Sequence, residues 1–161
     1  MVYWLRTQHF ILLLLLVVPV SINAYCFRAA GDQYHIDPLL LKSIAMYESS
    51  LNQWAVHVNR DKDHRVLSMD YGLMQINSVN VPRLIKQNVI KNKDELLSKP
   101  CTNVYIGASI LARNIKICGV SWDCIGSYNA GFLTKDASVR RAYGQKVHEI
   151  YRELKRKEEG R

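Results

Sequence analysis

Several common functional signatures are missing from this 161-residue chain, and each gap removes a class of function. No apolar run reaches the roughly 20 residues of a typical membrane-spanning helix. Only 8 residues are Gly, and none forms a glycine-rich phosphate loop, which excludes a nucleotide cradle of that kind. There is no C-x-x-C pair. His148-Glu149-Ile150-Tyr151-Arg152 starts like the zinc motif H-E-x-x-H but carries Arg152 where the second ligand belongs. Asp61-Lys62-Asp63 starts like a calcium loop, yet Val66 stands where glycine is required and Gly72 where the final Glu should be. No G-x-S-x-G is present, so Ser49 and Ser50 lack a nucleophile elbow. Basic residues are dispersed and form no nucleic-acid motif. Acidic residues are in deficit, 14 against 22 basic ones, for a net charge of +8. Such a balance suits an acidic polymer as partner, and it equally serves solubility.

The apolar segment Phe10–Val20 has the length of a signal-peptide core. Arg6 precedes it, and Ile22-Asn23-Ala24 offers a small residue for cleavage. We therefore expect residues 1–24 to be a cleaved signal peptide and residues 25–161 a single exported domain. An uncleaved anchor is the alternative. Tyr25 before Cys26 does not fit a lipoprotein signal.

All four cysteines, Cys26, Cys101, Cys118 and Cys124, follow the expected cleavage point. An even count in an exported chain reads as two disulfides. Three pairings are possible, and the expected one joins Cys118 to Cys124 locally and Cys26 to Cys101 over a long loop.

Helical signals dominate. A short helix is expected over Phe27–Tyr34. Asp37-Pro38 caps the next, which carries Leu41, Ile44 and Ala45 at helical spacing and ends near Glu48. Residues 52–71 are polar and read as a long loop or small β-hairpin. Ser78 or Asn80 is expected to cap a helix running through Ile90. Val104, Ala108, Leu111 and Ile115 mark a buried helix, Trp122–Ser127 a short one, and Val139, Tyr143, Val147, Ile150 and Leu154 the last. His148 and Glu149 are expected on the exposed face of that last helix.

Three segments carry the chemistry: Tyr47-Glu48-Ser49-Ser50, Gly72-Leu73-Met74-Gln75-Ile76-Asn77 and Tyr128-Asn129-Ala130-Gly131. Singly, each also reads as a helix end, plain core or a glycine cap. In this order, after the helix Ile36–Ala45, they resemble the lysozyme-like lytic transglycosylases across the whole exported part. Asp70-Tyr71 before the second segment and Lys99-Pro100-Cys101 are similar to the specialised subgroup of IagB- and IpgF-like proteins associated with type III secretion. The resemblance implies a mainly α, lysozyme-like α+β single domain of several helices, with a small hairpin region.

It also implies an activity: cleavage of the β-1,4 bond between N-acetylmuramic acid and N-acetylglucosamine in peptidoglycan, without water, leaving a 1,6-anhydro ring. Glu48 would be first acid, then base. A proton donor is needed because a glycosidic oxygen is a poor leaving group. Desolvation raises a carboxyl pKa towards neutrality, and Met74 and Tyr128 are expected to supply the close apolar surroundings. Lysozyme is the standard instance of such tuning.

The resemblance further implies Gln75 as a contact to the sugar amide, Tyr128 as a hydroxyl near Glu48, Asn129 as a substrate contact, and Gly72 and Met74 within the substrate site. Asp70 is expected as a second acid that stabilises positive charge, with a turn residue as the alternative and Asp61 and Asp63 as competitors. Trp54 and Trp122 are candidates for stacking on sugars, Trp122 more readily for the core. No metal or cofactor is required. The expected partners are glycan strands and a secretion machine, type III first, then conjugation or pilus systems. The protein is expected to act as a periplasmic monomer. Two rivals stay open: a muramidase that lets water attack, and a peptidoglycan-binding assembly protein without catalysis.

Overall fold

The computed structural model describes residues 22–160, so most of the expected signal peptide lies outside the described residues. Helix α1 (Ile22–Tyr34) starts earlier than the expected Phe27. It is followed by α2 (Pro38–Ser49). Pro38 opens α2, where its missing N–H costs no hydrogen bond, and the Leu39 amide donates to the Asp37 carboxylate at 2.8 Å. The other Asp37 oxygen accepts from the Tyr151 hydroxyl at 2.6 Å, which ties the chain's last helix to the start of α2. At its far end α2 stops at Ser50 and Leu51, both with positive φ (54° and 63°). Their amides close back onto Met46 and Ala45 carbonyls.

The polar stretch is a hairpin, β1 (Val56–Arg60) against β2 (Val66–Tyr71), extended by a short β3 (Ile76–Asn77) in the antiparallel order β1-β2-β3. His57 pairs with Asp70, and Asp70 in turn with Asn77. Side chains alternate across a strand. One face of the sheet therefore collects His57, Asn59, Ser68, Asp70 and Asn77, while Tyr71 and Ile76 go to the core.

Helix α3 (Val81–Lys86) is shorter than the sequence suggests. The Asn77 side chain caps a preceding 3-10 turn by accepting from the Val79 amide, and neither Ser78 nor Asn80 provides an N-terminal cap bond. Asn88, at φ 56°, breaks the helix before Ile90, which turns into the core. The one-turn α4 (Glu95–Ser98) leads to the central α5 (Pro100–Cys118). Val104, Ala108 and Leu111 of α5 meet Leu41, Ile44 and Ala45 of α2 and Leu73, Met74 and Ile76 in one core. Helices α6 (Trp122–Ala130) and α7 (Ala137–Glu159) cross closely. A Cβ on Gly126 would collide with the Arg140 carbonyl, and one on Gly144 with the Trp122 carbonyl, so both glycines permit the approach.

The disulfides join Cys26 to Cys101 and Cys118 to Cys124. In the chain-entropy picture the long link, 75 residues apart, restricts the unfolded chain by on the order of 4 kcal/mol. His148 departs from expectation. It is partly buried, stacked on Trp122 with ring centroids 4.1 Å apart, because Trp122 lies across the α7 face. Among the described residues no helix is long and apolar enough to cross a membrane.

Candidate active site

Glu48 occupies the last turn of α2, where its carboxylate gains nothing from the helix dipole. It opens into a cavity of about 460 Å³ that is also lined by His57, Asn59, Ser68, Asp70, Gln75, Asn77, Tyr128 and Asn129. Three structural units meet there: the end of α2, the polar face of the hairpin, and the end of α6. The cavity side of the hairpin is polar, while Tyr71 and Ile76 of the sheet turn to the core.

Among the described residues Glu48 has no cationic partner. Its Oε1 accepts a hydrogen bond from the Tyr143 hydroxyl at 2.6 Å. Burial raises the carboxyl from 4.5 to about 7, the Tyr143 bond opposes this, and the Asp70 charge adds to the rise. Desolvation wins, so Glu48 retains its proton up to neutral pH. Tyr143 is almost fully buried, and its ring meets Tyr47 edge-on at 5.1 Å. Burial pushes both Tyr143 and Tyr128 well above the usual tyrosine range, and the Glu48 charge adds to it, so both hydroxyls stay donors.

Asp70 faces the same cavity in a polar setting. The Asn77 amide donates to Oδ1 at 2.7 Å and the Asn59 amide to Oδ2 at 2.6 Å. Both amides also donate to the Ser68 hydroxyl oxygen, at 2.9 and 3.0 Å. The two carboxyl groups thus differ in their surroundings: Glu48 is desolvated, whereas Asp70 accepts hydrogen bonds from two side-chain amides.

Gln75, at φ 46°, donates from its amide to the Ala55 and Gly72 carbonyls at 3.2 and 2.8 Å, so its Oε1 is what it offers to a ligand. Asn129 lines the cavity at the end of α6. Gly72 and Met74 do not reach the cavity. Both are buried, and the Met74 side chain packs on Gly107 of α5. Met74 acts through its carbonyl, which accepts from the Tyr128 hydroxyl at 2.8 Å.

Other candidates lie elsewhere. Asp61 and Asp63 are at the hairpin tip, both bound to Arg65. Trp122 packs on α7, and Trp54, 62% exposed, lies outside the residues that line the cavity. The sequence does not single out Tyr143, Asn59, Ser68 and His57 as site residues, and it marks Asn77 only as the last residue of the second segment. The alternation of β1 and β2 carries a signal for the hairpin group, whereas Tyr143 is legible only as a core position of α7. Among the described residues no cluster of His, Cys, Asp and Glu is placed to hold a metal ion.

Residues 25–151 match the family model described as the transglycosylase SLT domain. The chain belongs to that family. Family membership gives the enzyme class, a peptidoglycan lytic transglycosylase, whose substrate lies outside the cytoplasm. Invasion protein IagB of Salmonella typhimurium (strain SL1344) is 42% identical, over 84% of this chain and 82% of that protein. Protein IpgF of Shigella sonnei is 35% identical, over 89% of this chain and 90% of its own. A peptidoglycan-binding-like protein of Escherichia coli O157:H7 is 42% identical, over 82% and 79%. Among solved structures, the lytic transglycosylase Slt of Pseudomonas aeruginosa (inactive mutant E503Q) superposes with a TM-score of 0.58 at 17% identity. The match covers 83% of this chain but only 24% of Slt, so it speaks for the shared fold.

Two outcomes follow for Glu48. Its raised pKa means that the folded protein holds a proton between pH 4.5 and about 7 that the unfolded chain releases. Wild-type stability should therefore fall as pH rises through that window. Glu48→Gln, which does not titrate, should match the wild type at pH 4 and exceed it by about 3 kcal/mol at pH 8, measured by urea unfolding at each pH. Tyr143→Phe removes a bond that favours the anion, so the descending limb of kcat/KM should move to higher pH. A downward shift would mean that Tyr143 does not act on Glu48 in this way.

Proposed function

We propose that the protein cleaves the β-1,4 bond between N-acetylmuramic acid and N-acetylglucosamine by intramolecular transfer, with Glu48 as the acid and base. Glu48 gives its proton to the glycosidic oxygen, and the C1–O bond breaks. The muramic C6 hydroxyl then bonds to C1 and returns its proton to Glu48, closing a 1,6-anhydro ring with no water consumed. The attacking hydroxyl belongs to the sugar being cleaved, so proximity does much of the work. The observation that carries this reading is a desolvated, cation-free Glu48, raised to about 7 in a polar cleft.

Asp70 supplies the second part. Its carboxyl group, positioned by the Asn59 and Asn77 amides, would stabilise positive charge as it develops at C1. The same placement favours one second reading, a muramidase in which Asp70 assists attack by water. A purely binding role fits less well, because binding alone does not call for a buried acid. Gln75, Tyr128 and Asn129 are taken to position the glycan, Gln75 through its Oε1.

In the cell we propose a monomer exported by removal of residues 1–24, acting in the periplasm. There it would open the wall locally for an envelope-spanning secretion apparatus, type III first and conjugation or pilus systems next. Support comes from the similarity to a relative named as an invasion protein and from the two disulfides, which suit an oxidising compartment.

Mass spectrometry of purified peptidoglycan after digestion tests the reaction. Anhydro-muropeptides are expected; reducing ends would assign the hydrolase, and no products the binding protein. Glu48→Gln should lose nearly all turnover. Asp70→Asn should lose about ten- to a thousandfold in kcat, roughly 1.4–4 kcal/mol, with KM and Tm little changed. Altered stability with unchanged kcat would leave Asp70 only the structural role of joining Asn59 to Asn77 across the sheet.

A further inference from the structure

Few polar side chains are fully buried among the described residues, and Asn103 in the first turn of α5 is the one that grips the segment between the two carboxyl-bearing elements. Its Oδ1 accepts from the Met74 amide at 2.8 Å. Its Nδ2 donates to the Tyr71 carbonyl at 2.7 Å and to the Leu96 carbonyl at 2.9 Å. A primary amide has two donor hydrogens and an acceptor oxygen on one planar group, so the side chain is satisfied and clamps both ends of the turn 71–74. Asp would lack the two donors, and Leu would lack all three functions.

Gly72, at φ 76°, stands inside that turn. A Cβ there would run into the Asn103 amide and the Leu96 carbonyl, so the glycine leaves room for the clamp. The turn is linked outward on every side. Ser49, next to Glu48, donates through its hydroxyl to the Leu73 carbonyl at 2.9 Å. Tyr128 donates to the Met74 carbonyl. Asp70 immediately precedes the turn and Asn77 follows it, joined by the 2.7 Å bond across the strands.

We propose that Asn103 is a positioning residue for the glycan cleavage assigned above, on which this inference rests. It touches no substrate. Its amide sets the path of residues 71–74, and that path fixes Asp70 against Asn77 on one side and Tyr128 and the Glu48 end of α2 on the other. Catalysis is sensitive to small misplacements of reacting groups, so loosening the turn lowers the rate of the bound complex more than binding.

The test compares Asn103→Asp and Gly72→Ala with a core control on the same helix, Leu111→Ala, which leaves a cavity but no broken bond to the turn. Gly72→Ala crowds the amide without altering it and serves if Asn103→Asp does not fold. All are assayed on peptidoglycan at a temperature where near-ultraviolet circular dichroism shows them folded. The clamp variants should lose at least about tenfold in kcat per folded molecule with KM within about threefold, while Leu111→Ala holds kcat within about twofold. Wild-type kcat in the folded clamp variants, or an equal loss in the control at matched loss of Tm, overturns the positioning role. The wild type in the same assay separates the two failures. An inactive wild type sinks the functional reading and this role together, whereas an active wild type with unimpaired clamp variants sinks this role alone.

Discussion

A carboxyl group buried without a cation beside it is the constraint around which this molecule is arranged. Taking Glu48 out of water disfavours its anion, and no Lys or Arg among the described residues offsets that cost. The protein accepts it at the end of α2, where the helix also offers a negative charge nothing. A single neutral donor, the Tyr143 hydroxyl, orients the group without ionising it. Stability alone would favour an uncharged residue there. Retaining the acid makes sense as proton chemistry near neutral pH.

The rest of the architecture serves to keep two carboxyl groups in one cleft but in different surroundings. The hairpin's alternation sends Tyr71 and Ile76 to the core and leaves Asn59, Ser68, Asp70 and Asn77 facing Glu48's cavity. Neutral amides around Asp70 stabilise its charge without cancelling it, and that charge reinforces the proton on Glu48. Both tyrosines at the site are donors, the buried Tyr143 on the acid and the partly buried Tyr128 on the Met74 carbonyl.

Much of this was readable in the sequence. Asp37-Pro38 and the spacing of Leu41, Ile44 and Ala45 locate α2 and put Glu48 at its end, and the three ordered segments locate the cleft walls. What escaped depends on contacts between distant segments. Tyr143 is 95 residues from Glu48, and helical period alone identifies it as core without revealing where its hydroxyl ends. Asn59 and Asn77 become partners only through strand register. The sequence likewise does not show that the Met74 side chain packs on Gly107, 33 positions away on α5. The helix expected through Ile90 failed for a local reason, the left-handed Asn88.

The central claim is that burial holds a proton on Glu48 near neutral pH, and a direct titration tests it. The protein labelled with carboxyl-13C glutamate can be followed by NMR across pH 3–9, with the Glu48 signal assigned by its disappearance in Glu48→Gln. The account predicts a midpoint of about 7 for that one carboxyl. A midpoint near the ordinary glutamate value of about 4.3 would contradict it, because Glu48 would then be an anion at neutral pH and could not serve as the proton donor.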